Sequence, residues 1–196
     1  MRFIGITGGV GAGKSLILSY IQEHYNARIL LADRVAQELM EPGTVCYQSL
    51  REVFLDDGVF CGDGCIDRSR MAQVIFRHED KRQQMNAIVH PAVKAYVIDA
   101  VKQEREAGHY DWFFLEAALL IEEHYDEICD ELWYIYTDEE GRRQRLRTDR
   151  GYSDAKIDGI LASQLSEEMF RRYCSQVIDN SGTVNETYEQ IRRIMS

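Results

Sequence analysis

The stretch "RFIGITGGVGAGKSLILSY", residues 2–20, constrains the fold of this chain more than any other segment. Residues 2–7 are a short apolar run with β-branched members, halted by glycine, which reads as a buried strand. From Lys14 onward, Leu16, Ile17, Tyr20, Ile21 and Tyr25 recur near one face of a helix. Between them, "GGVGAGKS" satisfies G-x-x-x-x-G-K-[ST] through Gly8, Gly13, Lys14 and Ser15. A glycine-rich turn with a surface lysine could match the same pattern. A strand before it and a helix after it are what give the pattern its meaning as a phosphate loop. Backbone N–H groups must wrap a phosphate chain closely, so Gly8, Gly9, Gly11 and Gly13 keep side chains out of the way. The helix beginning near Gly13 aims its positive end at the anion. Lys14 is then placed to reach the outer phosphates of a nucleoside triphosphate and Ser15 to ligate Mg²⁺.

The rest of the chain alternates in the same way. "RILLAD" (28–33) predicts a second strand with Asp33 at its C-terminal edge, followed by a helix over "RVAQELM" that "EPG" ends. Strands are also predicted over 112–117 ("WFFLEA"), 131–137 ("ELWYIYT") and within "SQVIDNSG" (175–182). Residues 142–164 read as helix broken near "RGYS", and "ETYEQIRRIM" as a closing amphipathic helix. The region from about 44 to 110 is mostly helical and polar, and His90-Pro91 reads as a helix break within it. Alternating strands and helices predict an α/β fold, a parallel sheet covered on both faces, in a single domain over 1–196. A helical lobe near 50–110 is expected as an insertion rather than a separate domain.

A phosphate loop serves kinases, GTPases, motors and plain nucleotide-binding modules. A GTPase needs a guanine-reading N-K-x-D; "DNSGT" comes nearest and lacks the lysine. A small-molecule kinase needs a basic lid, because the transferred phosphoryl group spreads negative charge in its transition state. "RRQRLRTDR" supplies Arg142, Arg143, Arg145, Arg147 and Arg150, though the same cluster could be a solvated helix face. A kinase also needs a carboxylate near the acceptor, and ligands gather at the C-terminal ends of parallel strands. Asp33 could take the acceptor's proton or could cap a helix. Glu116 could hold a Mg²⁺-bound water, orient substrate, or serve as a core-edge hydrogen-bonding group. Trp112 and Trp133 read as core.

The formal net charge of −10 argues against broad nucleic-acid binding. No apolar run reaches the roughly 18–20 residues of a membrane span, and "MRFIGITGG" lacks the pattern of a signal peptide. A cytoplasmic protein, monomeric or a weak homo-oligomer, is expected. Five cysteines with no CxxC predict reduced thiols, and "CGDGC" (61–65) a polar loop.

Several segments together resemble one family, the dephospho-coenzyme A kinases. They are "GITGGVGAGKS", "ILLADRVAQEL" with "EPG", "NAIVHPAV" (86–93), "EAALLIE" (116–122), and "ASQLSEE" with "VIDNSG", an ordered set running from about residue 3 to 182. The resemblance implies a P-loop kinase: a five-stranded parallel sheet flanked by helices, a helical substrate-binding lobe and an Arg-rich lid at about 138–165. It implies ATP-dependent phosphorylation of the ribose 3′-hydroxyl of dephospho-coenzyme A. By the same resemblance ATP lies against Gly9, Val10, Gly11, Ala12, Gly13, Lys14, Ser15 and Leu16, with Asn180 in the turn that holds its adenine. Asp33 is then the base, His90 and Glu116 belong to substrate binding, and Arg142 with its neighbours forms the lid. The chain departs from the family's usual pattern at Gln37, where a histidine is common, at Glu116-Ala117-Ala118 in place of Asp-x-Pro, and at Ile160 in place of an arginine. Two other readings stay open: a P-loop kinase for nucleosides or nucleotides, and a nucleotide-binding regulator without catalysis.

Overall fold

A computed structural model describes residues 1–196. Two compact units emerge, Met1–Leu30 with Ala107–Ser196, and Leu31–Glu106. The first carries a five-stranded sheet. β1 (Arg2–Thr7) leads through the glycine loop into α1 (Lys14–His24), and β2 (Ala27–Leu31) follows. β3 (Trp112–Glu116), β4 (Glu131–Tyr136) and β5 (Gln176–Asp179) complete the sheet in the order β2-β3-β1-β4-β5. β1 pairs in parallel with both β3 and β4, and β4 with β5. Because sheet faces are covered, the strands read as apolar runs: Phe3, Ile4, Ile6, Phe113, Phe114, Leu115, Trp133 and Ile135 are all buried. Trp133 is in the core as expected, whereas Trp112 is only partly buried, stacked on Phe114 at the start of β3.

The second unit is helical. It contains α2 (Ala32–Leu39), α3 (Val45–Phe54), α4 (Arg68–Arg77) and most of α5 (Glu79–Ala107). Its helix starts are written in the sequence: Thr44 accepts from the Tyr47 amide, and Asp67 accepts from those of Ser69 and Arg70. Leu50, Phe54, Val59 and Val97 form its core. The remaining helices return to the first unit: α6 (Glu139–Arg150), α7 (Asp154–Ala162), α8 (Glu167–Tyr173) and α9 (Val184–Ile194). Thr183 and Glu186 build a reciprocal capping box at the start of α9.

Two local expectations need correction. β2 stops at Leu31, so Asp33 is not at a strand edge; it is the second residue of α2, in a helical first turn where a carboxylate suits the positive helix end. The apolar run "RILLA" continues past the junction and hides it. The His90-Pro91 pair is not at a helix break either, since α5 runs unbroken through Pro91. No helix is long and apolar enough to cross a membrane.

Candidate functional site

The glycine loop hangs from the C-terminal end of β1, the central strand, flanked by β3 on one side and β4 on the other. In an open parallel sheet this reversal of strand order leaves a crevice beyond the strand ends. Residues 8–13 fill that place, and α1 starts at Lys14 with Gly13 as its cap. Gly13 has φ +86°, which side-chain-bearing residues seldom adopt. A Cβ there would also run into the Asn180 side chain. At Gly9 a Cβ would meet the Arg142 guanidinium at about 2.5 Å. The loop is therefore glycine-rich on the side that faces its own protein as well as on the phosphate side.

The carbonyls of residues 8 to 12 are all engaged. Lys14 Nζ donates to Gly8 O at 2.9 Å and Arg142 Nε to Val10 O at 3.1 Å. Arg145 reaches Gly11 O at 3.3 Å and Ala12 O at 3.2 Å. The Gly9 carbonyl accepts from the Ala12 amide at 3.1 Å. In a trans peptide the C=O and the following N–H point in opposite directions. The Val10 and Ala12 carbonyls, held by Arg142 and Arg145, therefore turn the amides of Gly11 and Gly13 away from those arginines. These two amides, and that of Gly9, donate to no group of the protein. Free backbone N–H groups beside a helix N-terminus are the groups an anion nest is built from.

Around the loop, the sheet register places Glu116 beside Ile6 at the end of β3. Its carboxylate lies 3.5 Å from Lys14 Nζ, so the ammonium is shared between Glu116 and the Gly8 carbonyl. Ser15 is exposed in the first turn of α1. The arginine cluster divides by face. Arg142 and Arg145 point at the loop, and burial pushes the Arg142 guanidinium down from its ordinary value. Arg142 also donates to Gln164. Arg143 instead pairs with Glu139 and Asp158, and Arg147 with Asp154, tying α6 to α7.

Asn180 follows β5 and continues its ladder, its amide donating to Tyr136 O at 2.8 Å. Its side chain is committed within the protein: Nδ2 donates to Ala12 O at 2.8 Å, and Oδ1 accepts from Thr187 Oγ1 at 3.0 Å. Thr137, just past β4, donates to the same Ala12 carbonyl at 2.9 Å. Sequence reasoning named neither Thr137 nor Thr187. The available signal for Thr137 was its place as the first polar residue after an apolar strand.

Lys14, Ser15, Glu116, Arg142 and Asn180 all belong to the first unit, and Asp33 and His90 to the second. Asp33 is exposed, and His90 is partly buried within α5. Gln37, on the helix of Asp33, accepts from Arg68 at 3.1 Å, and Arg68 also contacts Glu41 at 3.3 Å.

A parallel sheet whose central strand feeds a wrapped glycine loop, with a lysine beneath it and arginines above, defines a P-loop kinase. Solved structures agree on this fold. A protein from Thermus thermophilus superposes with a TM-score of 0.81 at 22% identity, covering 99% of this chain and 96% of that one. A dephospho-CoA kinase from Campylobacter jejuni gives 0.76 at 17% identity, covering 100% and 96%. In sequence, the Dephospho-CoA kinase family model matches residues 2–186. A dephospho-CoA kinase from Carboxydothermus hydrogenoformans is 33% identical over 195 residues, covering 100% of this chain and 93% of the relative. One from Geobacter sulfurreducens is 34% identical over 194 residues, covering 99% and 97%. The chain belongs to the dephospho-CoA kinase family.

Proposed function

We infer that this protein transfers the γ-phosphoryl group of ATP to the ribose 3′-hydroxyl of dephospho-CoA, giving CoA and ADP. The observation that carries the phosphoryl-transfer half is the loop with its free amides, with Lys14 below it and Arg142 across it. The acceptor follows from membership in the family.

In this reading the free amides of Gly9, Gly11 and Gly13 bind the phosphate oxygens, and the N-terminus of α1 adds its dipole. Lys14 leaves the Gly8 carbonyl for the β- and γ-phosphates while Glu116 keeps its pairing with the ammonium. The Ser15 hydroxyl and the Glu116 carboxylate are hard oxygen donors of the kind Mg²⁺ takes, directly or through water. When bound, Mg²⁺ neutralises charge on the phosphate oxygens. Asp33 accepts the proton of the 3′-hydroxyl as that oxygen attacks phosphorus in line. Arg142, anchored on Val10 O, faces the charge that develops on the transferred group. The helical unit, with Asp33 and His90, serves as the acceptor lobe, and α6–α7 as the lid.

The test is ADP release from ATP and Mg²⁺, coupled to a reporter, with and without dephospho-CoA and against a panel of nucleosides and nucleotides. Turnover that needs dephospho-CoA and yields a 3′-phosphate is expected. Turnover on nucleosides alone would overturn the acceptor; ATP binding with no transfer to any acceptor would overturn catalysis.

A further inference from the structure

Thr7, Thr137, Asn180 and Thr187 are buried polar residues, and the last three form one cluster. Burying polar side chains is costly unless each is hydrogen-bonded, and a satisfied cluster fixes one arrangement. Here the bonds converge on a single backbone atom. The Ala12 carbonyl oxygen accepts from Asn180 Nδ2 at 2.8 Å, from Thr137 Oγ1 at 2.9 Å and from Arg145 at 3.2 Å. Two lone pairs serve three donors, so this carbonyl has little freedom to rotate. The donors are themselves fixed. Arg145 bonds Thr137 Oγ1 at 3.2 Å and Asn180 O at 2.8 Å, and Thr187 orients the Asn180 amide from α9.

We propose that Thr137, Asn180 and Arg145 are positioning residues for the phosphate loop, acting through the Ala12 carbonyl to aim the Gly13 amide at the nucleotide's phosphates. This rests on the kinase reading above and assigns the Asn180 side chain to the loop rather than to the adenine. The clamp draws on three places, the ends of β4 and β5 and the α6 helix. Loop geometry is thus set by sheet register as well as by the loop's own glycines. Gly13 completes it, because a side chain there would occupy the space of the Asn180 amide.

The variants are Asn180→Asp, which removes the donor while keeping the Thr187 bond, Arg145→Lys, which loses the fork, and Thr137→Val, with Thr137→Ser to restore the hydroxyl. Circular dichroism and thermal melting establish folding, and calorimetry measures Kd for ATP, inorganic tripolyphosphate and adenosine. The expected result is at least about tenfold weaker binding of ATP and of tripolyphosphate in Asn180→Asp and Thr137→Val, adenosine unchanged, and recovery in Thr137→Ser. Folded variants that bind ATP and tripolyphosphate like the parent protein would overturn the proposal. So would a loss for adenosine equal to that for ATP, which would make Asn180 a base contact. Binding is read without the acceptor, so a parent protein inactive on dephospho-CoA would count against the function and leave this test intact.

Discussion

Lys14 and Glu116 form an ion pair of 3.5 Å across the gap between α1 and β3, and the Gly8 carbonyl holds the same ammonium at 2.9 Å. The lysine that the loop motif supplies for phosphates is thereby positioned from a strand more than a hundred residues away. Charge-assisted bonds in partly buried surroundings are worth about 1.5–3 kcal/mol. Glu116→Gln should therefore lower kcat/KM by roughly 10–100-fold, with Lys14→Ala costing at least ~100-fold. Steady-state kinetics with both substrates varied gives these ratios. A Glu116→Gln enzyme with unchanged kinetics would mean that the pair is incidental.

Asp33 lies in the first turn of α2 with its side chain exposed, so replacing it disturbs no core. Asp33→Asn should fold, bind ATP as the parent does, and lose on the order of 10²–10⁴ in kcat, the usual worth of a general base. Single-turnover quench-flow isolates the chemical step. A fully active Asp33→Asn enzyme would remove it from the mechanism.

Legibility in the sequence followed local pattern. β1, the loop and α1 could be read because an apolar run, a glycine cluster and a 3.6-residue period meet within twenty positions. Asp33 was misplaced by two residues because "RILLA" is apolar on both sides of the strand–helix junction, and a junction inside an apolar run leaves no mark. Pro91 suggested a break that the packing of Val89, Val93 and Val97 overrides. The Ala12 clamp was invisible for another reason. Thr137, Asn180 and Arg145 are brought together by the register of β4 with β5 and by the α6 helix, and single polar residues carry no period.

Pro91 sits within a 29-residue helix, is exposed, and has no N–H for the carbonyl four residues earlier. Pro91→Ala should raise stability by roughly 1–3 kcal/mol, seen as a higher urea midpoint with an unchanged slope. If dephospho-CoA turnover falls while stability rises, the proline is retained for the acceptor lobe at the expense of the helix. A lower midpoint would show that the ring packs in a way its exposure denies.

Glu186 accepts from the Thr183 amide at 2.7 Å and the Thr183 hydroxyl at 2.8 Å, and these bonds hold its carboxyl below the usual value. A group whose pKa is depressed on folding adds stability above its unfolded value and loses it as pH falls through the folded one. Glu186→Gln should therefore lower Tm at pH 7, and the gap to the parent should close in acid, below the ordinary carboxylate range. Melting curves from pH 7 to pH 3 test this; a gap constant with pH would exclude the ionised carboxylate as its source.

β1 is hydrogen-bonded along both flanks, while β2 at the sheet edge is only partly buried. An excursion that loosened the loop's anchor would have to strip two ladders at once, which amounts to melting the sheet. Amide exchange at Ile4 and Ile6 should accordingly proceed only through global opening, while β2 exchanges by smaller local fluctuations. The grip on triphosphate is thus fastened to the last part of the molecule to come apart. On heating, the capacity to hold nucleotide and the cooperative unit of the first domain-like body should disappear in the same transition.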